Sequence, residues 1–72
     1  MGYVYIAGAG SRGVTMAKYL TYLDKDVEIK AYLYDNDEKN PMEIEGVPVL
    51  NISKKVYLNN EYPVYIATRG VN

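Results

Sequence analysis

A chain of 72 residues has room for one domain and for a modest core, burying roughly 60% of the surface its unfolded form exposes. It has no cysteine and no histidine, which excludes a disulfide framework, Ser-His-Asp and Cys-His catalysis, and nearly every transition-metal site. Eight Lys+Arg against nine Asp+Glu leave a net charge of −1, so neither nucleic acid nor an anionic membrane is an expected partner. No apolar run approaches a membrane span and no leader is evident, so the chain reads as cytoplasmic.

Tyr3–Ala7 is a β-branched and aromatic run stopped by Gly8, the pattern of a buried strand. After the glycine-rich stretch 8–13, Val14, Ala17 and Leu20 recur at helical spacing, predicting a helix over Val14–Leu23 with Ser11 as its cap. Asp24-Lys25-Asp26 is a polar turn. Val27–Tyr34 forms a second strand, ending at Asp35-Asn36-Asp37. Glu38–Gly46 reads as loop, and Val47–Leu50, broken by Pro48, as a short strand at a sheet edge. Ser53 caps an expected short helix through Leu58, Pro63–Thr68 supplies a fourth strand, and Arg69–Asn72 is a tail. Strands alternating with crossovers predict an α/β fold: a Rossmann-like, three-layer half-domain with a four-stranded parallel sheet in order 3-2-1-4, one main helix and one short one. Residues 1–72 are then a single domain that looks cut off at its fourth strand.

All nine aromatic residues are tyrosines. Strict alternation along the strands sends Tyr3, Tyr5, Tyr32, Tyr34 and Tyr65 to one sheet face, with Lys30 among them, and leaves the aliphatic face for the main helix. The short helix cannot roof the tyrosines. On that half-covered face tyrosine either merely substitutes for phenylalanine in a compositionally biased chain or makes a contact surface for another subunit, giving a homo-oligomer, or for the remaining domains of a parent protein.

Gly8-x-Gly10-x-x-Gly13 follows a predicted strand and opens a helix, and Asp35 stands about 20 residues further on at the tip of the second strand. The first glycine permits a tight turn, the second lets a diphosphate approach the backbone, and the third lets helix and strand pack closely. Free N–H groups at the helix start make an anion site. The expected cofactor-binding residues are Gly8, Ala9, Gly10, Ser11, Arg12 and Gly13 at the diphosphate, with Asp35 on a ribose or base. Because an acid disfavours a 2′-phosphate, the ligand expected is NAD or a nucleotide sugar such as a UDP-sugar rather than NADP.

YIAGAGSRG, AYLYDNDE, EIEGVPVLN and VYIATRG together resemble the small nucleotide-binding domains of bacterial surface-polysaccharide biosynthesis. These are the N-terminal domain of nucleotide-sugar acetyltransferases and the NAD- or CoA-binding-like domain of nucleoside-diphosphate-sugar dehydratases and epimerases. The resemblance implies Gly8, Gly10 and Gly13 at the diphosphate and Asp35 at the nucleoside. A histidine often stands in the acetyltransferases where this chain has Arg12, and their catalytic β-helix has no counterpart here. A complete enzyme is not expected: there is no Tyr-x-x-x-Lys pair and no second site. Two readings remain open: a noncatalytic nucleotide-binding module of a sugar-modifying protein, and a structural or oligomerisation module that keeps the fold.

Overall fold

The computed structural model describes residues 2–35, 40–54 and 56–67. Its elements are β1 (Gly2–Ala7), α1 (Ser11–Leu23), β2 (Val27–Tyr34), β3 (Glu43–Ile44), β4 (Val47–Asn51) and β5 (Val64–Ile66). They make an α/β fold with one helix and a five-stranded mixed sheet in order β3-β4-β2-β1-β5. The four longer strands are parallel and keep the expected 3-2-1-4 order; β3 adds an antiparallel edge outside β4.

Three expectations need correction here. First, the sheet has five strands rather than four, and β4 is not its edge. Ile44 pairs with Val47 across the two-residue turn Glu45-Gly46, whose φ angles are 51° and 84°. Positive φ at both central residues is the hairpin geometry that matches strand twist. Part of the expected Glu38–Gly46 loop is therefore a hairpin arm. Second, no helix forms over the described part of Ser53–Leu58. The Asn51 Oδ1 accepts hydrogen bonds from the Ser53 N–H (2.9 Å) and the Ser53 hydroxyl (2.6 Å), closing a turn where the helix was expected to start. The expected third layer is irregular chain. Third, α1 begins at Ser11, with Gly10 as its N-cap and no side-chain cap bond. Asn36, Asp37, Thr68 and the tail lie outside the described residues.

Helix α1 closes on the Asp24 N–H, which donates to the Leu20 carbonyl at 3.0 Å. Asp24 then accepts the Asp26 N–H at 2.9 Å through its side chain, turning the chain into β2. On the helix side of the sheet, Val4, Ile6, Ala17, Tyr32 and Val49 form the main core, flanked by Val14, Met16, Leu20, Ile29 and Tyr34. On the far side Tyr5, Ala31 and Leu33 pack with Leu50, Leu58 and Tyr62. The crossover from β4 to β5 thus passes on the face opposite α1, as right-handed connections require.

The single tyrosine face does not exist. Val4 pairs with Ile29 but Tyr5 pairs with Ala31, so Lys30 is an extra residue in β2. This bulge changes the phase of alternation. Ile29, Tyr32 and Tyr34 all turn toward α1, while Ala31 and Leu33 turn away. Tyr65, in register with Ile6, shares the helix side. Tyr3 and Tyr5 remain on the far side, each within 6 Å of the Tyr62 ring (centroids 5.4 and 5.8 Å), with the Lys30 ammonium 4.9 Å from the Tyr3 centroid. The five tyrosines are split, and the association surface expected from them loses its basis.

Candidate functional site

The glycine loop joins β1 to α1 at the carboxyl end of the parallel strands. Gly8 has φ 128°, a conformation that L side chains rarely adopt, and its N–H donates to the Leu33 carbonyl at 2.7 Å. Gly13 is buried in the first turn of α1. A Cβ there would run into the carbonyl oxygen of Gly8 and lie 2.8 Å from its carbonyl carbon. Both glycines are thus demanded by the protein itself. Gly10 is not. Its φ and ψ of −89° and −161° suit any residue, and a Cβ built on it meets nothing within 4 Å.

The first bond of α1 runs from the Val14 N–H to the Gly10 carbonyl at 3.1 Å. The preceding N–H groups, of Ser11, Arg12 and Gly13, have no acceptor within the helix, and no acidic residue stands in its first turn. Ala9 is buried in the core, so its side chain is structural and its backbone alone borders the loop's outer surface. Ser11, Arg12 and Asp35 are exposed.

Two clefts flank the loop. One, of about 470 Å3, opens over the ends of β1, β2 and β5; Ala7, Gly8 and Ala9 border it with Leu33, Asp35, Ile52, Leu58, Val64 and Ile66. The other, of about 540 Å3, lies between α1 and β5 and is bordered by Ser11, Arg12, Thr15, Met16, Tyr19, Ile66 and Ala67. The expected site residues are therefore divided: Gly8, Ala9 and Asp35 border the first cleft, Ser11 and Arg12 the second. Ile52, Leu58, Tyr19 and Ile66 were not expected at the site. Ile52 and Leu58 are apolar, but so are Val56 and Tyr57 in the same stretch, so composition did not single them out; Tyr19 had no signal beyond its helical spacing.

Near β3 the Tyr32 phenol is held above its ordinary value of 10.0, by burial first and by the Glu45 carboxylate second. It stands on a separate small cavity of about 150 Å3 with Lys18, Thr21 and Glu45, away from the loop. Among the described residues no group of three or more acidic residues is placed to hold a metal ion, and no helix is long and apolar enough to cross a membrane. Compared with known proteins, the chain matches no family model, no curated sequence and no solved structure.

Proposed function

We propose that this chain is a nucleotide-binding module, taking NAD or a nucleoside-diphosphate sugar. The diphosphate would lie over Gly8–Gly13 and the nucleoside in the cleft that Asp35 borders. The observation that carries the reading is Gly10. Packing explains Gly13 and backbone conformation explains Gly8, whereas Gly10 is free of both demands and sits where a phosphate would approach the helix start.

The two clefts support a two-armed ligand. A nucleoside on the β2 side would set its ribose hydroxyls against Asp35, with Ile52 and Leu58 offering an apolar wall to the base. The second arm, nicotinamide riboside or sugar, would occupy the α1–β5 side, where Arg12 provides charge at the diphosphate. In keeping with the resemblance carried by its motifs, the module would serve a sugar-modifying protein of surface-polysaccharide biosynthesis and hold its ligand without catalysing a reaction itself.

Calorimetric titration with NAD, NADP, a UDP-sugar and coenzyme A tests this directly. NAD or the UDP-sugar should bind, and NADP should bind more weakly than NAD. Gly10→Val should abolish binding while leaving the circular-dichroism spectrum intact, because its side chain would take the phosphate's place. Asp35→Ala should weaken binding by about 1–3 kcal/mol. Absence of heat with every ligand overturns the proposal.

A further inference from the structure

Between α1 and the β3–β4 hairpin lies the cavity of about 150 Å3 on which Tyr32 stands. None of its residues borders either cleft beside the glycine loop. Val14 and Ala17 of α1, Ile29 of β2, and Ile44 and Val47 of the hairpin give it an apolar lining. Four polar side chains complete the wall: Lys18 and Thr21 from the helix, Tyr32 from the sheet and Glu45 from the hairpin turn.

The protein itself occupies only one of the four. The Thr21 hydroxyl donates to the Ala17 and Lys18 carbonyls, at 2.9 and 3.2 Å. Tyr32 is 4% exposed, yet its hydroxyl has no hydrogen-bond partner among the described residues. A phenol buried without a partner costs free energy that a ligand in the cavity recovers. The Glu45 carboxylate acts on this phenol, so the hydroxyl end of the ring belongs to the cavity wall. Lys18 and Glu45 are exposed, and neither makes an ion pair among the described residues. The turn does not account for glutamate at position 45, since asparagine or glycine suits a φ of 51° better.

We propose that this cavity binds a small aliphatic α-amino acid, such as valine, as its zwitterion. The ammonium group lies between the Glu45 carboxylate and the Tyr32 hydroxyl oxygen, the carboxylate lies at the Lys18 ammonium, and the side chain lies on the apolar lining.

Charge and size choose the ligand. An amine alone meets Lys18 as a like charge, and a carboxylic acid alone meets Glu45 as one. A molecule with both charges one carbon apart answers both groups. A cavity of this volume holds about six carbon atoms, as benzene has, so a three-carbon side chain fits with its charged groups at the rim, and an indole does not. Both charged contacts are open to solvent, which sets Kd on the order of 1 mM. The site uses no part of the glycine loop and stands apart from the proposed nucleotide.

The test is a titration of the 15N-labelled chain, followed by amide shifts, with L-valine, isobutylamine and isovalerate. The last two are valine without its carboxylate and valine without its ammonium group. L-Valine should give saturable shifts at Lys18, Tyr32, Glu45 and their neighbours, and none at Gly8–Gly13. Isobutylamine and isovalerate should each bind about fivefold more weakly or worse, and L-tryptophan should not bind. Tyr32→Phe, which keeps the ring, should weaken L-valine about fivefold. Glu45→Gln should remove the preference for L-valine over isovalerate, and Lys18→Met the preference over isobutylamine, both with the circular-dichroism spectrum of the unmodified chain. No saturable shift up to about 20 mM L-valine overturns the proposal. So does an equal response to the three compounds, or preferences that survive in both charge variants.

Discussion

The Tyr5 hydroxyl accepts a 2.9 Å hydrogen bond from the backbone N–H of Asn59, 54 positions away in the chain. Tyr5 is 4% exposed, so this bond ties the irregular crossover between β4 and β5 to the centre of the sheet. Beside it, Asn59 accepts the Glu61 N–H through its side chain at 2.9 Å and the Tyr62 N–H through its carbonyl at 3.2 Å, forming the turn that leads into β5. Tyr5→Phe keeps the ring packing and leaves the Asn59 N–H without its partner. A loss of about 1 kcal/mol is expected in urea unfolding, with hydrogen exchange rising first at Asn59 and its neighbours.

The glycines of the loop should separate by role. Gly13→Ala drives a methyl group into the Gly8 carbonyl, which is backbone and cannot rotate away. A loss of about 2–4 kcal/mol is expected, a large share of the stability of a domain this small. Gly10→Ala meets open space and loses little more than the preference of an N-cap for glycine over alanine, within about 1 kcal/mol. Thermal unfolding of the two variants side by side checks the contrast; similar losses would remove the argument built on Gly10.

Stability should fall at high pH through Tyr32. Its phenol is raised in the folded state by burial and by Glu45, whereas the unfolded chain ionises near 10.0. The stabilisation is complete below that value and is lost as pH rises from it through the folded-state value, because the unfolded chain then releases a proton that the folded one retains. Tyr32→Phe should flatten this alkaline decline. In ultraviolet titration it should remove the latest-ionising part of the tyrosine signal.

Glu45 occupies the left-handed region at φ 51°, which costs a residue with a Cβ roughly 1–2 kcal/mol. Glu45→Asn turns the hairpin into Asn-Gly, the favoured pair for this turn. The urea midpoint should rise by the equivalent of about 0.5–1 kcal/mol. The ionisation of Tyr32 should move back toward its ordinary value, since the carboxylate beside it is gone.

The order of the four parallel strands was legible because β-branched and aromatic runs alternated with a glycine loop, a helical stripe and polar turns. Handedness then placed the later crossover on the correct face. What escaped was decided by interactions between segments. The bulge at Lys30 is a matter of how β2 fits β1, and nothing in VEIKAYLY marks it. The Glu45-Gly46 turn lacks the asparagine or aspartate that announces such hairpins. After β4, where the described residues form no helix, Asn51 accepts from Ser53 to make a turn, a local bond that composition does not announce. At the site, the loop and the exposed Asp35 were legible as motif; the division of Arg12 and Asp35 between two clefts follows from how α1 is rotated against β5.

The extra residue in β2 also bears on how this chain is compared with others. Up to Ile29, odd positions of the strand belong to the helix side; beyond Lys30, even positions do. Deleting Lys30 would leave a strictly alternating strand with Tyr32 and Tyr34 still on the helix side, whereas keeping it without the bulge would carry them to the side where Ala31 and Leu33 now pack. In an alignment with a regular strand, leaving out a gap at position 30 would exchange inward for outward at every later position of the strand.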